Sequence, residues 1–535
     1  MPGPQGISLN CKTGPRQFWD GSGSPWIFGG GRTLYAARMQ EIRTVGIIGA
    51  GIAGLATAKV LRQLGFAVSV LEKEADVGGV WSASRRYPGL TTQNPRETYE
   101  FSDFPMPRHY PEWPTGEQVQ SYLHSYAEKF GLMAHIQLHT RVENARWDPA
   151  GKQWVLDTSD SMGITGVAKD ERRFDYLIVC NGIFSTPFVP EFPGAAQFVA
   201  AGGRICHTSQ FTALEDARGK HVVVIGYGKS SCDAANAVSA ISATTTVVAR
   251  NLIWKIPKKI ANTLNFKYLF LTRMGEGLFR YIRVKGFERF LHGPGRPLRN
   301  SMLKSVERVV SRQLRLNELG LHPGKPLETI ARSTVSLVTD GFYEGLGDGR
   351  IRMQPRASIA RLDAGTMTLS NGANLPADVL ICGTGWIQHV PFLDAVVRAR
   401  VTDTQGNFRL YRSMLPVDVP QLAFNGYNSS FFSQLNAEVG ALWLGAHLKG
   451  LIELPGREAM NADIDVRLRW MEERTDGKHS KGTNIIPFSL HQIDELLHDM
   501  QLELPWWLRL RQWFVPVVGA HFRALTPRLM RKLST

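Results

Sequence analysis

Two segments of this sequence share a pattern that strongly restricts the possible folds. The segments IIGAGIAGLATAKV, residues 47–60, and VVVIGYGKSSCDAA, residues 222–235, each begin as an apolar run and continue into a glycine turn and a stretch of small residues. This pattern predicts a strand, a tight turn and a helix whose first backbone amides can bind a phosphate. The chain is therefore predicted to be an α/β protein with two dinucleotide-binding units.

The first unit is predicted to contain a strand over Thr44–Gly49, a helix to about Leu64 and a second strand over Ala67–Glu72. Its three glycines suit, in order, the tight turn, the close approach of a pyrophosphate, and the packing of helix against strand. A carboxylate at the end of the second strand can bind the ribose hydroxyls, which is the role expected of Glu72. The other predicted cofactor-binding residues of this turn are Gly49, Ala50, Gly51, Ile52, Ala53 and Gly54.

The second unit has the same predicted order of elements, with strands over His221–Ile225 and Thr244–Ala249. The charged residue at the end of its second strand is basic, whereas that of the first unit is acidic. Gly226 and Gly228 form the turn, Ser231 takes the place of the third glycine, and Arg250 follows the second strand. A guanidinium suits the 2′-phosphate of NADPH, which a carboxylate would repel. The alternative for Arg250 is a solvated surface arginine. The first turn is thus predicted to bind FAD and the second NADPH.

A flavin and a nicotinamide in one chain imply that hydride passes between them. The five cysteines are scattered and contain no CxxC pair; they are Cys11, Cys180, Cys206, Cys232 and Cys382. This pattern argues against a dithiol redox centre, a disulfide framework and a structural metal site, and it favours a reducing compartment. We therefore expect electrons to leave the flavin to molecular oxygen.

Several ordered motifs carry a resemblance to a known family. They are EKEADVGGVW (residues 72–81), YPGLTTQNPRETYEFSDFPMP (87–107), GYGKSSCDAA (226–235) and ICGTGW (381–386). Together they resemble the flavin-containing monooxygenases, from about Arg43 to about Gly450.

The family's FxGxxxHxxx(Tyr/Phe) fingerprint is matched at Gly203, His207 and Phe211, with Ala201 at its first position and Phe198 close by. The related Baeyer–Villiger enzymes carry Trp-Pro or Trp-Asp after the histidine, where this chain has Phe-Thr. This difference disfavours ketone oxidation.

The resemblance implies one catalytic residue, Asn94. Its neutral amide can hydrogen-bond the flavin peroxide without protonating it, whereas an acid there would hasten the loss of hydrogen peroxide. The alternative is a turn residue before Pro95. Gln93 and Asn94 match the pair at the flavin–nicotinamide junction.

Further cofactor-binding residues are implied by the same motifs. Gly79, Val80 and Trp81 match the segment beside the flavin. The NADP-binding turn and a crossover segment are matched by Ser230, Ser231, Cys232, Asp233 and Gly385. Cys232 is expected to be a helix residue rather than a nucleophile, with a pKa that the helix N-terminus could lower. His207 is expected to position a domain junction rather than to act as an acid or base.

The resemblance implies an FAD-dependent monooxygenase that uses NADPH and O2 and is similar to the N,N-dimethylaniline monooxygenases. Oxygen would pass from a flavin C4a-hydroperoxide, in a site closed to water, to the nitrogen or sulfur of a small lipophilic substrate. The alternatives are Baeyer–Villiger oxidation of a ketone and an NADPH oxidase that releases hydrogen peroxide. From another class, a catalytically silent flavoprotein or a membrane-binding module is disfavoured by the intact glycines of both turns.

At 535 residues the chain is too long for one hydrophobic core. We expect two nested Rossmann-like domains, with the NADP domain inserted into the FAD domain and a helical insertion in the NADP domain. The expected segments are a disordered leader (1–40, with Met39 as an alternative start), the first part of the FAD domain (41–200), the NADP domain (201–380) with a basic aromatic insertion (255–330), the second part of the FAD domain (381–490) and a basic amphipathic tail (491–535).

The net charge of +15 is concentrated in two regions. Residues 267–315 hold twelve Lys and Arg against three acids, interleaved with aromatic residues, and the chain after Pro505 holds six basic residues and no acid. No motif is typical of nucleic-acid binding, and no apolar run is long enough to span a bilayer. We expect a cytoplasmic protein, with peripheral membrane contact through these regions. The alternative is a solvated helical subdomain.

Overall fold

The computed structural model describes residues 42–161, 170–332, 335–475 and 481–534. The expected leader, with Met39 and Cys11, lies outside them. The strands are β1 Thr44–Ile48, β2 Ala67–Leu71, β3 Ile136–Gln137, β4 Thr140–Asp148, β5 Gln153–Asp160, β6 Asp170–Phe174, β7 Tyr176–Val179, β8 Thr186–Pro187, β9 Arg204–His207, β10 His221–Ile225, β11 Thr244–Ala249, β12 Trp254–Ile256, β13 Lys259–Ile260, β14 Leu264–Asn265, β15 Val335–Leu337, β16 Ile351–Pro355, β17 Ile359–Asp363, β18 Thr366–Leu369, β19 Asn374–Pro376, β20 Val379–Cys382, β21 Trp386–Ile387 and β22 Leu422–Phe424.

The α-helices of the same residues are α1 Ile52–Gln63, α2 Gly116–Lys129, α3 Ala195–Ala200, α4 Lys229–Val238, α5 Lys267–Phe270, α6 Arg273–Gly277, α7 Phe287–His292, α8 Arg296–Gln313, α9 Phe342–Gly347, α10 Ala395–Val401, α11 Ser433–Leu448, α12 Arg457–Thr475, α13 Ser489–Asp499, α14 Trp506–Arg511 and α15 Leu525–Ser534.

The first sheet has five parallel strands in the order β22-β7-β1-β2-β3. Its central strands are apolar along their length, because helices and loops cover both faces; Val45, Ile47 and Leu177 are fully buried. The strand order reverses between β1 and β7. In open α/β sheets, ligands bind in the crevice at the carboxyl ends of the strands where this reversal occurs.

The second sheet has five parallel strands in the order β16-β11-β10-β20-β9. All five strands come from between Arg204 and Cys382, whereas the strands of the first sheet lie before and after that range in the sequence. The order reverses between β10 and β20, so this sheet also opens a crevice at its carboxyl edge. The expected α/β fold class is confirmed.

The two sheets are joined by a pair of crossing segments. After β7 the chain forms β8, and after β20 it forms β21, and these two short strands pair antiparallel, with Trp386 opposite Pro187. The residues from Ile42 onward form one compact unit. The chain therefore leaves the first sheet and returns to it at the same place.

The basic aromatic region packs against α13 through paired buried charges. Arg273 in α6 makes a two-pronged contact with Asp494, at 2.7 and 2.9 Å. The ring of His491 lies between Glu276 and Glu288, with Nδ1 at 2.6 Å and Nε2 at 2.9 Å from their carboxylate oxygens. These side chains thus stabilise the fold instead of facing solvent.

His491 gives an expected pH dependence of stability. Burial alone would lower its pKa, but the two carboxylates outweigh burial and raise the pKa from 6.5 to about 10. The stabilisation is therefore complete below pH 6.5 and is lost as the pH rises through about 10. We expect the free energy of unfolding to fall over this range, and His491→Gln to remove part of that fall. Equal pH slopes for the two proteins would contradict the assignment.

The C-terminal tail also packs on the body of the protein. Leu525 and Leu529 of α15 are buried, and Lys532 Nζ donates to the Met500 carbonyl over 3.1 Å. The apolar face of α15 is therefore used internally. In contrast, α14 exposes Trp506 and Trp507, which are 75% and 53% accessible.

Candidate functional site at two glycine turns

The first turn needs two of its glycines for the fold itself. Gly49 has a φ of +107°, and a Cβ atom on it would lie 2.6 Å from the Cys180 carbonyl oxygen. A Cβ on Gly54 would lie 1.9 Å from the Gly49 carbonyl oxygen, so only glycine lets α1 pack this closely on the turn. Gly51 differs, since a Cβ there would meet only backbone atoms of Gly79, the nearest being Cα at 3.6 Å. The packing of the protein itself therefore does not require a glycine at position 51.

Glu72 lies next to this turn, as the sequence predicts. It follows β2 directly, and its Oε2 accepts a hydrogen bond of 2.6 Å from the Ala50 amide, while Oε1 accepts from the Glu74 amide at 3.0 Å. Burial raises the pKa of Glu72, and the two amide hydrogen bonds act against that rise. The carboxylate thus fixes the turn and keeps lone pairs that can accept from hydroxyl groups.

The segment Gly79–Trp81 faces the turn as a short 3-10 helix. A Cβ on Gly79 would lie 3.2 Å from the Gly51 Cα, so the two glycines form a wall made of backbone alone. The Trp81 ring is buried and packs edge-on against Tyr99, with ring centres 5.6 Å apart. Val80 lies within this segment, half-buried.

In the second turn, the helix packs closely on the turn with a serine in place of the third glycine. Gly226 has a φ of +112° and is held close to Gly383. Ser231, fully buried, stands where the first turn has its third glycine and donates to the Gly383 carbonyl at 3.4 Å. A Cβ on Gly383 would lie 2.0 Å from Ser231 Oγ. The glycine that this close packing requires is therefore in the segment that faces the helix, and not in the helix itself. A Cβ on Gly228 would meet no atom within 4 Å.

Arg250 is exposed and follows the carboxyl end of β11, which pairs with β10 beside the second turn. Ser230 is half-buried in the first turn of α4, and Gly385 has a φ of +92° with open space where a Cβ would be. All three therefore lie at the edge of the sheet where parallel strands end, which is where the sequence places the NADP site.

The expectation that the helix N-terminus lowers the pKa of Cys232 is wrong. Cys232 is 1% exposed, and burial raises the pKa of its thiol, although the nearby Lys255 side chain acts in the opposite direction. Loss of hydration around the thiolate outweighs the helix-terminal field. Its position within α4 is as expected.

Asp233 joins the second turn to the loop that carries Asn94. The buried carboxylate accepts from Lys229 Nζ at 2.6 Å and from the hydroxyls of Thr339 and Tyr87. Lys229 Nζ also donates to Thr91 Oγ1 over 3.1 Å. The cluster therefore holds the loop against α4, and in this structure the Asp233 side chain is engaged with protein groups.

Gln93 and Asn94 lie between segments that belong to both halves of the structure. Gln93 Oε1 accepts from the Leu337 amide in β15 at 3.3 Å. Asn94 is 4% exposed, and its side-chain amide donates to the Phe431 carbonyl just before α11. The pair is therefore at a junction, and part of the role of Asn94 is to hold the start of α11.

His207 is neutral and buried at the crossover. Its pKa is lowered to about 4, chiefly by burial, and its Nδ1 accepts from the Ser209 amide at 3.2 Å. The ring packs edge-on against Trp386 at 4.6 Å. This geometry fits the positioning role. Phe198 fills the missing fingerprint position, since its ring lies 2.3 Å from where a Cβ on Gly203 would be.

Several residues of this region were not identified from sequence. One is Lys229, although it stands four residues before the predicted Asp233 on a helix, a spacing that indicates an ion pair. For Tyr87, Thr339 and Phe431 the sequence holds no such signal, because each meets its partner across more than a hundred residues.

Comparisons with known proteins agree with this geometry. The family described as flavin-binding monooxygenase-like matches residues 42–503. A probable flavin-containing monooxygenase 1 of Arabidopsis thaliana is 28% identical over 499 residues, covering 86% of this chain and 92% of the relative. The dimethylaniline monooxygenase (N-oxide-forming) 2 of Rattus norvegicus is 26% identical over 445 residues, covering 80% of this chain and 77% of the relative.

A solved structure of an oxidized steroid monooxygenase bound to NADP has a TM-score of 0.63 at 18% identity, covering 86% of this chain and 98% of that one. This likeness shows the fold. The family match covers most of the chain and includes both glycine turns. The chain therefore belongs to the flavin-binding monooxygenase-like family.

Proposed function

We propose that this chain is an NADPH- and O2-dependent monooxygenase that adds one oxygen atom to the nitrogen or sulfur of a small lipophilic substrate. The observation that carries the proposal is the pair of unlike turns. One lies beside the carboxylate of Glu72 and the other at the strand end that carries Arg250, at the crevices of two sheets joined by a shared crossover. A relative named for dimethylaniline N-oxide formation supports the substrate class.

Members of this family use FAD and NADPH, and the residues present fit both. Gly51 and Gly228 each leave space that a side chain would fill; the Gly79 backbone lines it at Gly51, and it is open at Gly228. The helices that follow, α1 and α4, begin without a side-chain cap and without an acid in the first turn, so their amides are free to face a diphosphate. We propose that residues 41–200 and 381–490 form the FAD domain and 201–380 the NADP domain.

When bound, the flavin supplies oxygen activation and the nicotinamide supplies hydride. The chain supplies position and exclusion of water. In this proposal Glu72 holds a ribose of FAD and Arg250 holds the 2′-phosphate of NADPH, while the Asp233 cluster holds the loop of Asn94 against the second turn. Asn94, buried at the junction, presents an uncharged amide that cannot give up a proton to a reacting oxygen.

The proposal is tested by product analysis with two probes, N,N-dimethylaniline and methyl phenyl sulfide. We expect NADPH-dependent formation of the N-oxide or sulfoxide, with the new oxygen atom derived from isotopically labelled O2. Cyclohexanone serves as the third substrate. Conversion of cyclohexanone alone would indicate Baeyer–Villiger chemistry, and hydrogen peroxide without any product would indicate an oxidase.

Asn94→Asp is expected to uncouple NADPH use from product formation. The variant keeps Gly49, Gly51, Gly54 and Glu72, so FAD should still bind. Its carboxyl group places an acid at the junction and cannot donate to Phe431 as the native amide does. The ratio of hydrogen peroxide to NADPH consumed should rise severalfold.

Asn94→Ala is the matched control, since it loses the same hydrogen bond, at a cost of about 1–3 kcal/mol, without adding an acid. If the two variants release equal amounts of hydrogen peroxide per NADPH, the uncoupling is explained by the lost contact with Phe431 and not by the carboxyl group of Asn94→Asp.

We also propose peripheral membrane contact through an aromatic edge formed by α7 and α14. The Phe287 ring of α7 packs against the ring of Trp513, two residues after the end of α14, with ring centres 5.6 Å apart. The exposed apolar residues of this edge are Phe287, Phe290, Trp506, Trp507, Leu510 and Phe514, and the exposed basic residues beside them are Lys285, Arg289, Arg509 and Arg511. This composition suits the interface of an anionic bilayer. No helix in the described part of the chain is long and apolar enough to cross a membrane.

The expected result is flotation of the full chain with phosphatidylserine-containing vesicles at low salt and release at high salt, because each basic side chain contributes about 1 kcal/mol that salt screens. Trp506→Ser with Phe514→Ser should weaken flotation. Val396→Ser, on an equally exposed residue of α10, should not. Point variants are preferable to truncation after Leu504, which would also remove the packing of α15. A full chain that stays at the bottom of the gradient would refute the membrane proposal.

A further inference from the structure

Lys255 and Cys232 form a buried amine–thiol pair beside the second turn. Lys255 in β12 is 1% exposed, and its Nζ donates to Cys232 Sγ over 3.3 Å and to Ser336 Oγ over 2.8 Å. The same Nζ lies 4.5 Å from the centre of the Tyr227 ring. Within the described residues, none of these contacts is a carboxylate. The lysine is thus buried among a thiol, a hydroxyl and an aromatic ring.

This environment favours an uncharged amine. Hydration of an ammonium group is lost on burial, and neither group that hydrogen-bonds to Lys255 Nζ is a carboxylate, although the nearby Asp233 acts against this loss. Burial lowers the pKa of Lys255, and Cys232 and Asp233 act against that shift without reversing it. An uncharged amine carries a lone pair and is a nucleophile. The sulfur that it contacts is an atom that peroxide oxidises.

We propose that Cys232 and Lys255 are an oxidative cross-linking site, at which hydrogen peroxide converts the pair into a sulfenamide with an Sγ–Nζ bond. First, sulfur attacks peroxide, the O–O bond breaks, and a sulfenic acid and one water form. The Lys255 nitrogen then attacks the sulfur, the S–O bond breaks, and the hydroxyl leaves with an amine proton as a second water. The sulfur loses two electrons, and the peroxide is reduced to two waters.

The cross-link protects the thiol and joins two elements. A captured sulfenic acid escapes the irreversible steps to sulfinic and sulfonic acid, and a thiol reductant restores both side chains with formation of its own disulfide. The new bond ties α4, whose N-terminus follows the second turn, to β12. Only the source of peroxide in the cell rests on the proposed function, since a flavoenzyme that reacts with O2 releases peroxide when oxygen transfer fails.

The test is treatment of the full chain with added hydrogen peroxide, followed by intact mass measurement and peptide mapping. We expect a species that has lost two hydrogen atoms, a linked peptide pair that contains Cys232 and Lys255, and reversal by dithiothreitol. In Lys255→Met, which removes the amine but keeps an apolar side chain of similar length, Cys232 should instead gain two or three oxygen atoms irreversibly. Because the native amine is uncharged in this proposal, the substitution leaves no buried charge without its partner.

The remaining described cysteines, Cys180, Cys206 and Cys382, are buried and free and serve as internal controls that should form no linked peptide. A wild-type chain in which Cys232 stays a thiol or reaches sulfinic acid without any linked peptide would overturn the proposal. Because the peroxide is added, this outcome is independent of oxygenation activity, and a chain that fails to oxygenate any substrate can still cross-link.

Discussion

Replacing Gly51 or Gly228 with alanine is expected to weaken binding of one coenzyme strongly and to leave the protein folded. Both glycines have ordinary negative φ values, of −79° and −75°. The new methyl group would meet nothing nearer than 3.6 Å at Gly51 and nothing within 4 Å at Gly228. It would instead occupy the space where a diphosphate approaches the backbone, which costs about 1–3 kcal/mol, or about one to two decades in affinity.

The measurements are flavin absorbance after purification for Gly51→Ala and NADPH titration for Gly228→Ala. Thermal unfolding of both variants without added coenzyme should match that of the equally stripped parent. Gly54→Ala is the contrasting control. Its methyl group would lie 1.9 Å from the Gly49 carbonyl oxygen, so this variant should lose stability as well as FAD. Normal coenzyme affinity in Gly51→Ala and Gly228→Ala would show that the spaces serve another purpose.

Arg250→Ala is expected to weaken NADPH binding far more than NADH binding. The side chain is exposed at the end of β11, beside the second turn, and makes its proposed contact only with the 2′-phosphate that NADH lacks. Loss of a charge-assisted, two-pronged contact is worth roughly 1.5–3 kcal/mol, or about one to two decades in affinity. The measurement is the dissociation constant of each coenzyme for the variant and the parent.

Arg352→Ala is the matched control, since it removes an exposed arginine from the neighbouring strand β16. It should leave both affinities within about a factor of two, as expected for a surface substitution away from the site. Equal losses for both coenzymes in Arg250→Ala would mean that Arg250 does not read the phosphate.

The local parts of the site could be predicted from the sequence. The strands before both turns and Thr244–Ala249 lie where the apolar runs place them, within one residue, because strand, turn and helix depend on neighbouring residues. The position of Glu72 beside Ala50 follows from the βαβ spacing. Even the substitution of Ser231 for a third glycine is visible in the sequence, but its compensation by Gly383 is not, since the two are 152 residues apart.

The sequence-based predictions that were wrong concern properties that depend on burial and on contacts between residues far apart in the chain. The thiol pKa of Cys232 was predicted with the wrong sign because the helix terminus is visible in the sequence and the surrounding apolar packing is not. Residues 267–315 were expected to contact a membrane, with a solvated subdomain as the alternative, yet Arg273 and Glu276 of this region pair in the interior with Asp494 and His491. Their partners lie more than two hundred residues away, so only the folded chain brings them together.

The most direct test of the proposed oxygen chemistry is an oxygen pulse. The full chain with bound FAD is reduced by NADPH without oxygen and then mixed with oxygenated buffer in the absence of substrate, while flavin absorbance and hydrogen peroxide are recorded. We expect the oxidised flavin spectrum to return only after a delay that retained NADP⁺ lengthens, and we expect added N,N-dimethylaniline or methyl phenyl sulfide to replace peroxide with oxygenated product. Immediate return of the oxidised spectrum with one peroxide formed per NADPH, or a chain that binds no flavin, would contradict the account.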